Sequence, residues 1–210
     1  MSPSSEDRLI EILEESQRRG LLGPGPVEVH IDHARGFARA LRQFSRTPPS
    51  RALDLGAGGG IPGAVLLLEW LETDFVWLDS TQRSAAFLEL AKERLDDSDR
   101  IRVVQGRAED LGRVPGLRGT LDVVVARSFG RPAVTAECGA PFLARGGYLV
   151  VSEPPMESGD RWDRGGLRKL GLEAVGHPSE GANYQVLRQV EVCPEEFPRR
   201  SGRPGKRPLF

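Results

Sequence analysis

The sequence predicts an α/β fold: a Rossmann-like, mostly parallel sheet behind a small helical extension. Two observations carry this. From residue 51 apolar strand candidates alternate with helical stretches, and the first strand candidate runs straight into a cluster of glycines. Nearly continuous apolar strands mark a parallel sheet covered on both faces, because each side of the strand meets a layer of helices. With 210 residues the chain can build one sizeable core, not two.

In chain order, residues 5–19 read as a helix: Ser4 or Ser5 can cap it, Leu9, Ile12 and Leu13 share a face, and Gly20 ends it. Gly23-Pro24-Gly25-Pro26 breaks the chain. A second helix follows, with Val27, His30, Ile31, Ala34, Phe37, Ala38, Leu41 and Phe44 on one stripe. Thr47-Pro48-Pro49-Ser50 closes this lead-in, so residues 1–46 form the helical extension and 47–197 the α/β unit. Strands are predicted at Arg51–Leu55, Phe75–Asp79, Ile101–Gln105, Leu121–Ala126 and Tyr148–Ser152. Helices are predicted between them, near 62–71, 81–95, 107–112 and 132–144. A helix near 160–170 and strands near 172–176 and 184–192 would complete the sheet, the last a candidate for antiparallel pairing. Residues 198–210, rich in Pro and Arg, read as an extended tail.

Composition narrows the class. The chain is 39% hydrophobic and 28% charged, which excludes global disorder. No stretch has the length of a membrane span, and Met1–Asp7 lacks the basic start and apolar run of a secretory signal. Cys138 and Cys193 have no metal-ligand spacing and read as reduced thiols of a cytoplasmic protein. The net charge of −1 hides an asymmetry: Arg199, Arg200, Arg203, Lys206 and Arg207 lie in the last 13 residues with no acid, leaving 24 basic and 30 acidic residues elsewhere. A nucleic-acid partner would meet a local basic patch, not the whole surface.

The strand Arg51–Leu55 leads into Gly56-Ala57-Gly58-Gly59-Gly60-Ile61-Pro62-Gly63 and then an apolar helix. Glycines let a ligand lie against bare backbone, and Pro62 suits the first turn of a helix. In open parallel sheets ligands bind beyond the carboxyl ends of the strands. Dinucleotide oxidoreductases share that geometry. Asp54, ahead of the glycines, favours a cationic ligand over a pyrophosphate, which points to S-adenosylmethionine, a sulfonium with an amino-acid tail. Asp79, followed by Ser80, ends the second strand, where a carboxylate can accept both ribose hydroxyls of an adenosine.

Ala108 and Glu109, after the third strand, stand either at an adenine edge or in a helix turn that favours acids. Arg127 and Phe129, after the fourth, either hold and stack on a planar substrate or are a surface Arg beside a core Phe. His30 and His33 have zinc-like spacing, but a zinc site needs a third protein ligand. His30 lies on the apolar stripe, so packing and capping are the favoured reading and no metal is expected.

Beyond these residues the chain resembles a known family, the small-subunit ribosomal RNA guanine-N7 methyltransferases called RsmG or GidB. The resemblance rests on Leu53–Gly63, Leu78-Asp79-Ser80, the helix start Arg83–Leu88, Gly106-Arg107-Ala108-Glu109, Ala126-Arg127-Ser128-Phe129 and the ending Phe197–Leu209. The Ile61-Pro62-Gly63 extension and this ending are far more specific than the glycines alone. The resemblance implies the class I S-adenosylmethionine-dependent methyltransferase fold, with a seven-stranded sheet. It implies cofactor contacts at Gly56 and Ile61, at Ala108 and Glu109 through the adenine, and at Arg127; Asp54, Ala57, Gly58, Asp79 and Ser80 complete the expected site. It implies small-subunit rRNA, or the subunit particle, as partner, with Phe129, Arg199, Arg200, Arg203, Lys206 and Arg207 as candidate RNA contacts. The chain also departs from the family pattern: it lacks a Trp-Asn…Asn-Leu-Thr segment, carries Val29 where an Arg precedes the His, and has Glu153-Pro154 in place of a Lys-Gly pair. A glutamate there would repel RNA phosphate.

Guanine N7 has a free lone pair, so methyl transfer to it needs no general base, and no residue is assigned as catalytic. Two other functions fit the fold: methylation of a small molecule, and silent RNA or ribosome binding through the tail.

Overall fold

The computed structural model describes residues 4–95, 98–154 and 161–210. Helix α1 (Ser5–Arg18) begins as expected: the Ser4 hydroxyl accepts from the Asp7 amide at 3.1 Å, and the Asp7 carboxylate accepts from the Ser4 amide at 2.9 Å. Leu9, Ile12 and Leu13 of α1 are buried against α2 (Val27–Arg42), which contributes Ile31, Ala34, Phe37 and Leu41.

The α/β unit follows as β1 (Arg51–Leu55), α3 (Gly63–Glu69), β2 (Asp74–Asp79), α4 (Gln82–Leu95), β3 (Ile101–Gln105), α5 (Ala108–Leu111), β4 (Leu121–Ala126), α6 (Pro132–Gly139), β5 (Leu143–Glu153), α7 (Arg164–Lys169), β6 (Leu172–Gly176) and β7 (Asn183–Gln189). The seven strands form one sheet in the order β3-β2-β1-β4-β5-β7-β6. The first five run parallel, and β7 is antiparallel to both β5 and β6. Strand alternation splits the core. Ala52, Phe75, Trp77, Val123 and Val125 face α1 to α4, while Leu53, Leu55, Leu78, Val124 and Ala126 face α6, α7 and the C-terminal segment. The helical extension thus shares a continuous core with one face of the sheet.

Several boundaries differ from the sequence prediction, among them the start of α7 at Arg164, the predicted start near 160 lying outside the described residues. Pro62 caps α3 and does not enter its first turn. Helix α6 ends at Gly139, and β5 begins at Leu143 after a 3₁₀ turn, so 143–144 are strand; Leu143 pairs with Leu121, and the register shifts before Tyr148. Strand β7 ends at Gln189, where the Val190 amide turns to the Gly171 carbonyl at 2.9 Å.

The largest departure is the C-terminal segment, which is folded and not extended. The Arg199 amide and Nε donate to Oε1 of Glu137 at 2.9 and 2.8 Å, and Nη2 donates to Oε2 at 2.6 Å. Glu137 is fully buried in α6. Residues 203–206 form α8 (Arg203–Lys206), and Leu209 and Phe210 pack on the second core. Average polarity predicts a solvated tail, but a single buried carboxylate outweighs it, because an uncompensated charge in a protein interior is costly. Among the described residues no helix is long and apolar enough to cross a membrane.

Arg199→Ala strands Glu137 in the core and is expected to cost about 3–5 kcal/mol of unfolding free energy. Adding Glu137→Leu to that variant should recover most of the loss. Urea denaturation reads both; a single-variant loss under about 1 kcal/mol would mean that the pair does not anchor the segment.

Candidate functional site

The order of strands reverses between β1 and β4, and the crevice beyond their carboxyl ends holds the site. A cleft of about 390 Å³ lies there. Gly56 follows β1 on its wall, Asp79, Ser80 and Thr81 follow β2, Gly106 to Glu109 follow β3, and Ser128 and Phe129 follow β4. Val134 and Cys138 of α6 add apolar surface, and Gly202 and Gly205 of the folded C-terminal segment close the wall.

The loop after β1 is held by backbone bonds and one carboxylate. The amides of Gly56 and Ala57 both donate to the Leu78 carbonyl at 2.9 Å. Asp79 Oδ2 accepts from the Gly58 amide at 3.0 Å, and Oδ1 accepts from the Thr81 amide at 2.9 Å. Each oxygen retains a further lone pair, so Asp79 can both shape the loop and accept hydroxyls from the cleft. Gly56 has a φ of +76°, and a Cβ there would stand 2.7 Å from the Phe129 ring. Only glycine lets that ring close over the loop.

Glu109 is buried, and its Oε1 accepts from the Gly202 amide and from Arg107 Nη2, both at 2.9 Å. Burial works against its charge, but the Gly202 amide, its own amide and Arg107 outweigh burial and hold it below the usual carboxylate range. Its side chain is thus tied to the C-terminal segment. Burial pushes the Cys138 thiol up, so it stands in the cleft as an inert apolar group.

A second cleft of about 350 Å³ lies beside the first, lined by His33, Arg127, Ser128, Phe129 and Glu153 among others. Ser128 and Phe129 belong to both walls. Ser128 has a φ of +55°, rare for a residue with a side chain, and this turns the backbone between the two clefts. Burial, then the nearby charge of Arg127, pushes His33 down to about 4, so its imidazole is neutral. Glu153 is paired with Arg161. That pairing cancels the charge expected to repel RNA phosphate.

Asp54 lies behind these walls and Arg127 lines the second cleft, each with an atom unpaired. Asp54 is completely buried; its Oδ2 accepts from the Gly63 amide at 2.7 Å, and its Oδ1 has no partner. Arg127 Nη2 donates to His30 Nδ1 at 2.9 Å, and its buried Nη1 has no partner. One orphan acceptor and one orphan cationic donor match a ligand end that carries an ammonium and a carboxylate. Such groups are rarely left unpaired in a protein interior.

Of the expected cofactor residues, Gly56, Asp79, Ser80, Ala108 and Glu109 line the first cleft. Ala57 and Ile61 sit in the core beneath the loop, Gly58 offers its amide to Asp79, and Arg127 faces the second cleft. Arg200, Arg203, Lys206 and Arg207 are exposed, whereas Arg199 is spent on Glu137. His30 is not simply packed: its second nitrogen meets the Gly23 carbonyl at 3.1 Å, so both ring nitrogens are engaged. Among the described residues no group of three or more His, Cys, Asp or Glu could hold a metal. Thr81, Gly202 and Gly205 were not foreseen. Thr81 had a signal, since its hydroxyl accepts from the Ser84 amide at 3.1 Å in the cap pattern Thr-x-x-Ser. The two glycines had none, because only the fold brings them here.

Burial pushes the Asp54 carboxyl up to about 7, with the Gly63 amide opposing. A raised folded-state value means that its contribution to stability is complete below about pH 4 and is lost as pH rises through 7. Wild type is therefore expected to lose roughly a few kcal/mol relative to Asp54→Asn between pH 5 and 8. Urea unfolding of both at each pH measures this, and parallel profiles would refute it.

A model of the family described as rRNA small subunit methyltransferase G (GidB) matches residues 9–154. A protein named ribosomal RNA small subunit methyltransferase G from Desulfitobacterium hafniense (strain Y51) is 30% identical, over 97% of this chain and 86% of its own. One of the same name from Symbiobacterium thermophilum is 33% identical, over 88% and 80%. The structure also resembles that of a putative O-methyltransferase from Klebsiella pneumoniae, with a TM-score of 0.56 over 90% of each chain at 13% identity, a likeness of fold alone. The class I methyltransferase fold expected from the sequence is the fold present. With residues 9–154 matched and relatives this similar along most of its length, the chain belongs to the small-subunit ribosomal RNA methyltransferase G family.

Proposed function

We infer that this protein transfers a methyl group from S-adenosylmethionine to N7 of a guanine in small-subunit ribosomal RNA. The observation that carries the inference is the pair of clefts separated only by Ser128 and Phe129. One suits a nucleoside with an amino-acid tail; the other opens beside it against the half-buried Arg127. Bound, the cofactor supplies a methyl group on an electron-poor sulfur.

In the first cleft Asp79 accepts the ribose hydroxyls, and the apolar wall of Ala108, Val134 and Cys138 takes the adenine. Asp54 and Arg127 draw the ammonium and carboxylate of the tail toward the loop. Phe129 lies over Gly56 and stacks on the incoming base. No proton need leave N7 before attack, so these residues work by holding two groups in line and excluding water. This fits a site that presents no nucleophile paired with a base. The exposed Arg200, Arg203, Lys206 and Arg207 are the groups that would meet the RNA backbone.

Incubating the protein with methyl-labelled S-adenosylmethionine and small-subunit particles, then mapping modified nucleotides by mass spectrometry, tests this. A single N7-methylguanine is expected, and no transfer to naked rRNA or to any assembly state would overturn it. Replacing Arg200, Arg203, Lys206 and Arg207 by Gln is expected to raise KM for the particle about tenfold and to flatten its salt dependence, leaving cofactor affinity unchanged. An unchanged salt slope would remove the segment from the RNA interface.

A further inference from the structure

We propose that His30, in the helical extension, is the positioning residue that holds Arg127 for the cofactor's amino-acid tail. The proposal rests on the reading of Arg127 above and extends it to the N-terminal helices.

The two contacts of the imidazole fix its state. A guanidinium has only donors, so Nδ1, 2.9 Å from Arg127 Nη2, must carry a lone pair. A carbonyl only accepts, so Nε2, 3.1 Å from the Gly23 oxygen, must carry the proton. A single neutral tautomer satisfies both partners. The ring therefore links the end of β4 to the connection between α1 and α2. That connection is itself braced: Gln17 Nε2 donates to the carbonyls of Gly23 and Gly25 at 2.9 and 2.8 Å.

Arg127 needs such a guide. Burial lowers its pKa from the usual arginine value, and its Nη1 is buried without a partner. The Asp54 carboxyl interacts with it electrostatically and has an unpaired oxygen of its own. Released from His30, the long side chain would be drawn toward Asp54, and the pair would quench the two groups that the ligand requires. His30 supplies a competing acceptor that keeps them apart.

A second contact ties the same helices to the site. A Cβ on Gly59 would stand 2.2 Å from Ser16 Oγ and 2.8 Å from the Leu21 carbonyl. The glycine loop thus rests on the end of α1, and Arg127 on α2 through His30. Both halves of the tail-binding region lean on one segment of chain.

The test is calorimetric titration of S-adenosylmethionine into the full chain carrying His30→Ala, His30→Asn or His30→Gln. Asparagine places a carbonyl near the position of Nδ1 and can still accept from Arg127; glutamine reaches the position of Nε2 and can bond only Gly23. His30→Ala is expected to weaken binding about tenfold, His30→Asn to restore it to within about threefold of wild type, and His30→Gln to remain as weak as alanine. Wild-type affinity in His30→Ala overturns the proposal, as does rescue by Gln in place of Asn. Should His30→Ala fail to fold, the Asn and Gln pair still decides. A wild-type chain that binds no S-adenosylmethionine overturns the functional inference instead. The His30–Arg127 link is then judged by imidazole ¹⁵N NMR of the ligand-free chain: Arg127→Met must move the His30 Nδ1 resonance, and an unmoved resonance overturns it.

Discussion

Strand β1 lies between β2 and β4, and the chain leaves β1 toward β2 but leaves β4 toward β5. Connections that diverge in this way cannot fill the space beyond the strand ends, so a crevice is forced between Gly56 and Arg127. Everything chemical in the protein answers to that gap. Right-handed crossovers and buried parallel strands leave no freedom to close it with regular structure. The loop after β1 narrows it only as far as backbone can, since Gly56 must admit the Phe129 ring. The crevice therefore divides along the turn at Ser128, which explains why the two clefts share a wall.

The gap carries a cost in polar burial. Asp54 sits fully inside with one oxygen unpaired, and Arg127 holds one nitrogen in the same condition. The two groups feel each other electrostatically but make no bond to one another. Each is held on one side only: the Gly63 amide occupies one side of Asp54, and His30 occupies one side of Arg127. Local structure is thereby left less than fully satisfied, which is the physical signature expected of a preorganised binding site.

Legibility in the sequence followed the range of the interactions. The strands, the glycine loop and Asp79 were readable because each depends on neighbours within a few residues: alternation, turn chemistry, a carboxylate at a strand end. The capping box at Ser4 and Asp7 belongs to the same class. The bond of His30 to Arg127 was not legible, because its position on an apolar helical stripe says nothing of a residue 97 positions away. The segment after Pro198 was read as extended because its composition is that of solvated chain. The residue that contradicts this, Glu137, lies 62 residues earlier in the middle of an apolar helix. Glu153 was expected to repel phosphate, and only the fold brings Arg161 to it.

Both ends of the chain are thus drawn to the same crevice from opposite faces of the sheet. The helical extension reaches it through His30 and Gly59; the C-terminal segment reaches it through Gly202 on Glu109, with Arg199 on Glu137 as its anchor. A parallel sheet offers good reason for this. Its strand ends expose loops that are short and glycine-rich, and such loops carry little side-chain packing of their own. Bonds to Leu78 and Asp79 hold the loop from within the sheet, and the helical extension and the C-terminal segment add support from outside it. Sharing one core with the sheet, the helices cannot loosen without disturbing the glycine loop. The C-terminal segment packs on the other core, at the wall of the cleft that Gly202 and Gly205 close. The loop that looked self-contained in sequence is held by Leu78 and Asp79 of β2 and backed at Gly59 by Ser16 and Leu21 of the helical extension.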